Sequence, residues 1–224
     1  MRQTMADASH QARPFLRGWS HVVAAVGAAI FTGALVVRCI GDTLMFSTML
    51  LYGVTSVGLF ACSAIYHVAT WSPGRRALLR ALDHGNIFVT IAATATAIGA
   101  NVLVGWERVL LLVAVWSIAT VGVLVTTCHV QLGAMSRVGL YVLTGLTGVL
   151  ALPGLVAALP MTALMAIVAG GTVYAVGGLI YALKRPDPIP WFFGYHELFH
   201  MLVIAGSAIY GAVLWIWVVP LAGP

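Results

Sequence analysis

Charge is what this chain has least of. Only 8% of its 224 residues are Asp, Glu, Lys or Arg, while 61% are hydrophobic and the mean hydropathy is +1.02. That is too little polar material to cover a water-soluble surface, so a soluble globular domain is excluded. Cysteine is scarce as well. Cys39, Cys62 and Cys128 have no C-x-x-C spacing and fall at the ends of apolar runs or within them. Neither a disulfide framework nor a thiolate zinc site is indicated, and the three are expected to be small packing residues. No glycine-rich phosphate loop occurs; the abundant glycines suit close helix packing. The net charge of +5 is scattered instead of forming one basic patch, so no nucleic-acid partner is expected. The first 19 residues carry Arg2, Arg13 and Arg17 without an apolar core, which argues against a cleavable signal and makes the first span an uncleaved anchor.

What the chain does have is long apolar runs. Spans of about 20 such residues cross a bilayer as helices, because the backbone must satisfy its own hydrogen bonds there. Seven are read: Ser20 to Val37, Leu44 to His67, Asp83 to Val104, Glu107 to Cys128, Val138 to Leu159, Thr162 to Leu183 and Gly194 to Val219. The fold class is an all-α seven-transmembrane helix bundle. It comprises a cytoplasmic tail (1–19), one transmembrane domain (20–219) and a short external tail (220–224). The stretch around Pro153 and Pro160 reads as a tight external turn, since one span through it would run to about 46 residues. Trp19, Trp71, Trp106, Trp191, Trp215 and Trp217 sit near span ends as an aromatic belt would.

With an internal N-terminus, the inner segments hold Arg2, Arg13, Arg17, Arg75, Arg76, Arg80, Arg137, Lys184 and Arg185, against Arg38 and Arg108 outside. The positive-inside rule then gives N-in, C-out. The expected location is the cell's inner (plasma) membrane, multi-pass. Ser72 and Pro73 suit the start of a helix, and Arg75, Arg76 and Arg80 interleave with apolar residues as a segment along the inner leaflet would, although topology anchoring explains them equally well.

This orientation gathers polar side chains into one layer. The second span ends with Ser63 and His67, the third opens with Asp83 and His84, and the seventh opens with His196-Glu197-Leu198-Phe199-His200. His196 and His200, at i and i+4, share a helix face, and His200 lies about 6 Å deeper. Ionisable groups at membrane depth are costly and by default functional. The bland reading is a pair of interfacial histidines among headgroups. The sharper one is a zinc site of three imidazoles, His67, His196 and His200, with an open fourth position for water. Asp83 and His84 stand about 100° apart, so one of the two is expected to face the interior, and spacing does not say which. Ser63 serves the site or bonds its own helix one turn back. His10, His21 and His129 lie at or outside the interface and read as solvated.

The set S-x-x-x-H at Ser63 and His67, "LDH" at Asp83 and H-x-x-x-H at His196 and His200, on seven spans, resembles the hemolysin III branch of the progestin and adipoQ receptor family. "RPDPIPWFFGYHELFH" also resembles that family's approach to its last helix. The resemblance implies zinc held by His67, His196 and His200 near the cytoplasmic side, with Ser63 and Asp83 reaching it through water, and it selects Asp83 over His84. The chain departs from the family in the third span, where "IAATATAIGA" lacks the usual proline and with it the implied kink.

The wider family resembles lipid-amide hydrolases. One expectation is therefore zinc-assisted hydrolysis of a membrane-lipid amide or ester, with Asp83 accepting the proton and Ser63 steadying the oxyanion. The alternative is a non-catalytic membrane-homeostasis or cytolysis-associated protein in which zinc clips two spans together. A third reading takes His-Glu-x-x-His as an intramembrane metalloprotease with Glu197 as base. Apart from a membrane lipid, no partner is indicated.

Overall fold

The computed structural model describes residues 17–128, 130 and 132–221. Arg2, Arg13, His10, His129 and most of both tails lie outside them. Among the described residues, seven helical segments are long and apolar enough to cross a membrane, and no strand occurs. They are α1 (Trp19–Val37), α2 (Thr43–Val68), α3 (Pro73–Val102), α4 (Gly105–Thr127), a fifth span in two halves, α5 (Ala134–Leu146) and α6 (Leu152–Ala158), then α7 (Met161–Leu183) and α8 (Tyr195–Val213), which ends in a π turn (Leu214–Val218). This is the expected all-α bundle, with most span ends within a few residues of their predicted places.

The third span departs most. Its helix begins at Pro73, ten residues before Asp83, with Ser72 as N-cap and Pro73 in the first turn. Thirty continuous residues measure about 45 Å, longer than the roughly 30 Å hydrocarbon layer. The basic segment is therefore continuous with the span, where the sequence suggested a separate piece along the leaflet. The fifth span also differs. Pro153 does not make a turn: it opens α6 after a 3₁₀ stretch (Thr147–Ala151), and the turn is confined to Leu159 and Pro160. A proline has no N–H to give, and the neighbouring Gly154 N–H is satisfied from outside its own helix by the Glu107 carboxylate of α4 at 3.2 Å.

Packing is unequal. Half of the apolar windows of α2 and α3 are buried, against 11% for α1, so α2 and α3 form the centre and α1 the rim. Near the end where α2 starts and α8 finishes, Met45, Met49, Leu103, Leu111, Val213 and Leu214 form the main core. Trp215 and Trp217 pack against it, and the Arg38 guanidinium lies 4.2 Å from the Trp215 ring, so these two tryptophans are not purely a lipid-facing belt. Cys39 is buried as expected of a packing residue, whereas Cys128 is exposed where α4 ends. Between α7 and α8 the contact is reciprocal. A Cβ on Gly206 would meet Tyr174 at 2.9 Å, and one on Gly170 would meet Tyr210 at 2.9 Å. Each glycine receives the other helix's tyrosine, which fixes how α8 carries its histidines.

Candidate metal centre

The first turn of α8 is anchored before any histidine is considered. Glu197 reaches back to accept the Gly194 N–H at 2.9 Å, and Asp187 accepts the Tyr195 N–H at 2.8 Å. These bonds satisfy donors that a helix start leaves free, and they place His196 in the first turn with His200 one turn on. The second oxygen of Glu197 accepts from Arg17 Nε at 2.7 Å, just before α1. Glu197 thus accepts a structural hydrogen bond on each oxygen, which gives it a helix-capping role.

On α2, His67 stands in the last turn, one residue from the helix end. The chain just before α1 passes against it at Gly18. Gly18 is in the left-handed region, with φ of +85°, and a Cβ there would be 2.9 Å from the His67 Cβ. Only glycine meets both conditions without strain.

His67, His196 and His200 converge, and their ligand nitrogens all lie within 4.8 Å of one another. His67 Nε2 and His196 Nε2 are 3.2 Å apart, and the ring centroids are separated by 4.6 to 5.1 Å. His200 is 1% exposed. Asp83 Oδ2 lies 3.9 Å from His67 Nε2, and Ser63, 3% exposed, lines the same cavity beside Asp83. Ser56, two turns earlier on the same helix face, follows the ordinary pattern and bonds the Tyr52 carbonyl at 2.8 Å, whereas Ser63 lines the cavity. All five residues singled out from the sequence therefore meet at one end of the bundle. Three imidazoles so arranged can hold a first-row metal ion, with an aspartate and a serine beside it.

A cavity of about 500 Å³ leads away from this cluster, bounded mainly by α3, α5, α6, α7 and α8, with His21, Leu59, Ser63 and Leu111 contributed by α1, α2 and α4. Ser63, Asp83, His196 and His200 line one end, while Ile91, Ile98, Leu111, Leu155, Leu164 and Ile167 line the rest. From Asp83 to Ile98 along α3 is about 22 Å by helical rise. The space is long and mainly apolar, with the histidines and Asp83 at one end and Thr94, Thr172, Tyr174 and Tyr210 among the apolar residues of its wall.

Two sequence expectations need correction. His84 lines the same cavity as Asp83, because a space this wide touches adjacent faces of α3. His21 is not solvated. It is 3% exposed and stacks on His200, with centroids 3.8 Å apart and planes 12° apart. The signal was present in its depth: the topology that brings His67, Asp83 and His196 to one level brings the start of the first span there too.

The sequence profile of the haemolysin III-related family matches residues 9–210. A hemolysin-3 homolog of Bacillus subtilis is 30% identical over 158 residues, covering 70% of this chain and 71% of the relative. Hemolysin-3 of Bacillus cereus is 25% identical over 205 residues, covering 88% and 89%.

Proposed function

The chain belongs to the haemolysin III-related family, and from that premise we propose that it is a zinc-dependent hydrolase of a membrane-lipid amide or ester, working near the cytoplasmic leaflet. The observation that carries this reading is the meeting of His67, His196 and His200 with Ser63 and Asp83 at one end of a long, mainly apolar cavity. The donors suit zinc. Two nitrogens each about 2.05 Å from a tetrahedral zinc lie about 3.3 Å apart, close to the 3.2 Å between His67 and His196. Closing the third nitrogen onto the same ion is a matter of small side-chain adjustment.

When bound, zinc acidifies a water and polarises a carbonyl. The protein's own groups do the rest. The cavity holds an acyl chain and excludes water, so that the scissile group lies at the histidine end. Asp83, near His67 without being a ligand, takes the proton from the attacking water and returns it to the leaving group. Ser63 donates its hydroxyl hydrogen to the carbonyl oxygen as charge develops there.

The test is elemental analysis of the purified protein and of His200→Ala, each then incubated with a labelled panel of lipid amides and esters. The expected result is about one zinc per chain with turnover, both lost together in the variant. Zinc without turnover favours a second reading, in which the ion ties α2 to α8. That reading has support of its own, since the backbones of α2 and α8 approach each other little and the histidines bridge them. Absence of zinc rejects both.

A further inference from the structure

α1 buries only two side chains, His21 and Leu35. One of these is polar, on a helix that otherwise faces lipid. An imidazole so placed needs an explanation, because burying its nitrogens unpaired is unfavourable. Neither Nδ1 nor Nε2 of His21 completes a hydrogen bond of good geometry, the nearest acceptor being the His200 backbone carbonyl. What His21 does have is its ring face, laid on His200 at 3.8 Å, with its edge region against Phe60 at 5.2 Å and 65°.

His200 shows the complementary deficit. A metal-bound imidazole is ordinarily held by a carbonyl or carboxylate on its second nitrogen, which sets the ring plane and enriches the donor. His200 Nδ1 is buried without any hydrogen-bond partner. Its orientation therefore rests on ring contacts: His21 stacked on one face, with His67, His196 and Phe199 in tilted or edge contacts around it. Of these, His21 alone lies parallel to the ring.

We infer that His21 is a positioning residue for the metal centre, fixing the plane of the His200 imidazole by stacking in place of a hydrogen bond. The inference rests on the metal reading above but not on catalysis. Binding a cation draws electron density from His200, and a parallel aromatic face stabilises the electron-poor ring. Because its closest contact with the His200 ring is the parallel face, its contribution comes through that face, and another flat ring should replace it.

The experiment loads Co²⁺ into the purified full-length protein and its His21→Phe and His21→Leu variants, with His200→Ala as the baseline. It reads the visible ligand-field bands and the dissociation constant by chelator competition. Phenylalanine should leave the spectrum unchanged and the affinity within about threefold. Leucine, apolar but not flat, should shift the bands and weaken binding about tenfold, the scale of losing a partner of a metal ligand. Equal affinity and spectra in the leucine variant would overturn the stack. So would a phenylalanine variant as weak as leucine, because that would assign the role to a nitrogen. Should the leucine variant fail to fold, the phenylalanine variant decides alone, weak binding there rejecting the inference. Failure of the wild type to bind Co²⁺ rejects the metal reading and this inference with it, whereas binding without lipid turnover leaves the inference standing.

Discussion

Asp83 separates the two uses of the metal centre, because it touches the histidine cluster without being one of the three donors. If the ion serves hydrolysis, Asp83→Ala retains zinc and loses turnover by about 100-fold or more, the scale of removing a general base. If the ion is a clip, zinc and every cellular phenotype survive the change. Zinc content and lipid turnover measured on the same preparation distinguish the outcomes. Ser63→Ala is expected to lower kcat by about 100-fold with zinc retained, as for loss of one oxyanion donor. At this scale much was legible in advance. His67, His196, His200, Ser63 and Asp83 stood out because polar side chains in apolar spans are few and each carries a cost. The stacking role of His21 was not legible, since depth can be counted from a sequence but ring planes cannot. The capping of α8 by Glu197 was hidden for a related reason: the partner Arg17 lies 180 residues away.

Among the elements, α1 is held to the site at its first turn by contacts that hydropathy does not register. Arg17 pairs with Glu197, whose side chain is only 3% exposed, and Gly18 lets the chain pass against His67. Arg17→Ala leaves a buried carboxylate with a single N–H donor. After discounting for the partial exposure of Arg17, it should cost about 2 kcal/mol, read as a lower thermal unfolding midpoint. Gly18→Ala combines an unfavourable φ with a close approach to His67, and should both lower that midpoint and weaken zinc binding. Retention of wild-type zinc affinity in Gly18→Ala would show that the approach is not tight. The spans themselves were readable from composition, whereas the joining of the basic segment to α3 and the 3₁₀ break in the fifth span were not. Hydropathy marks where the membrane is, not where a helix begins.

For the molecule as a whole, an ion bound only by the folded bundle must stabilise it by mass action. At free zinc 100 times the dissociation constant the gain is about 2.7 kcal/mol. Chelation should therefore lower the unfolding midpoint of the wild type and leave His200→Ala unmoved. Equal shifts in both would place the chelator's effect elsewhere.

The donors also have an order in time. His67 is synthesised 129 residues before His196, and α8 is the last span of the seven. Chains emerge N-terminus first. The site does not exist until the final helix has inserted beside the first and second, so metal uptake reports on completed biogenesis. A chain stalled, truncated or mis-threaded before α8 has no place for the ion and forgoes its stabilisation, which would let membrane quality control tell the finished bundle from the unfinished one by the ion it carries.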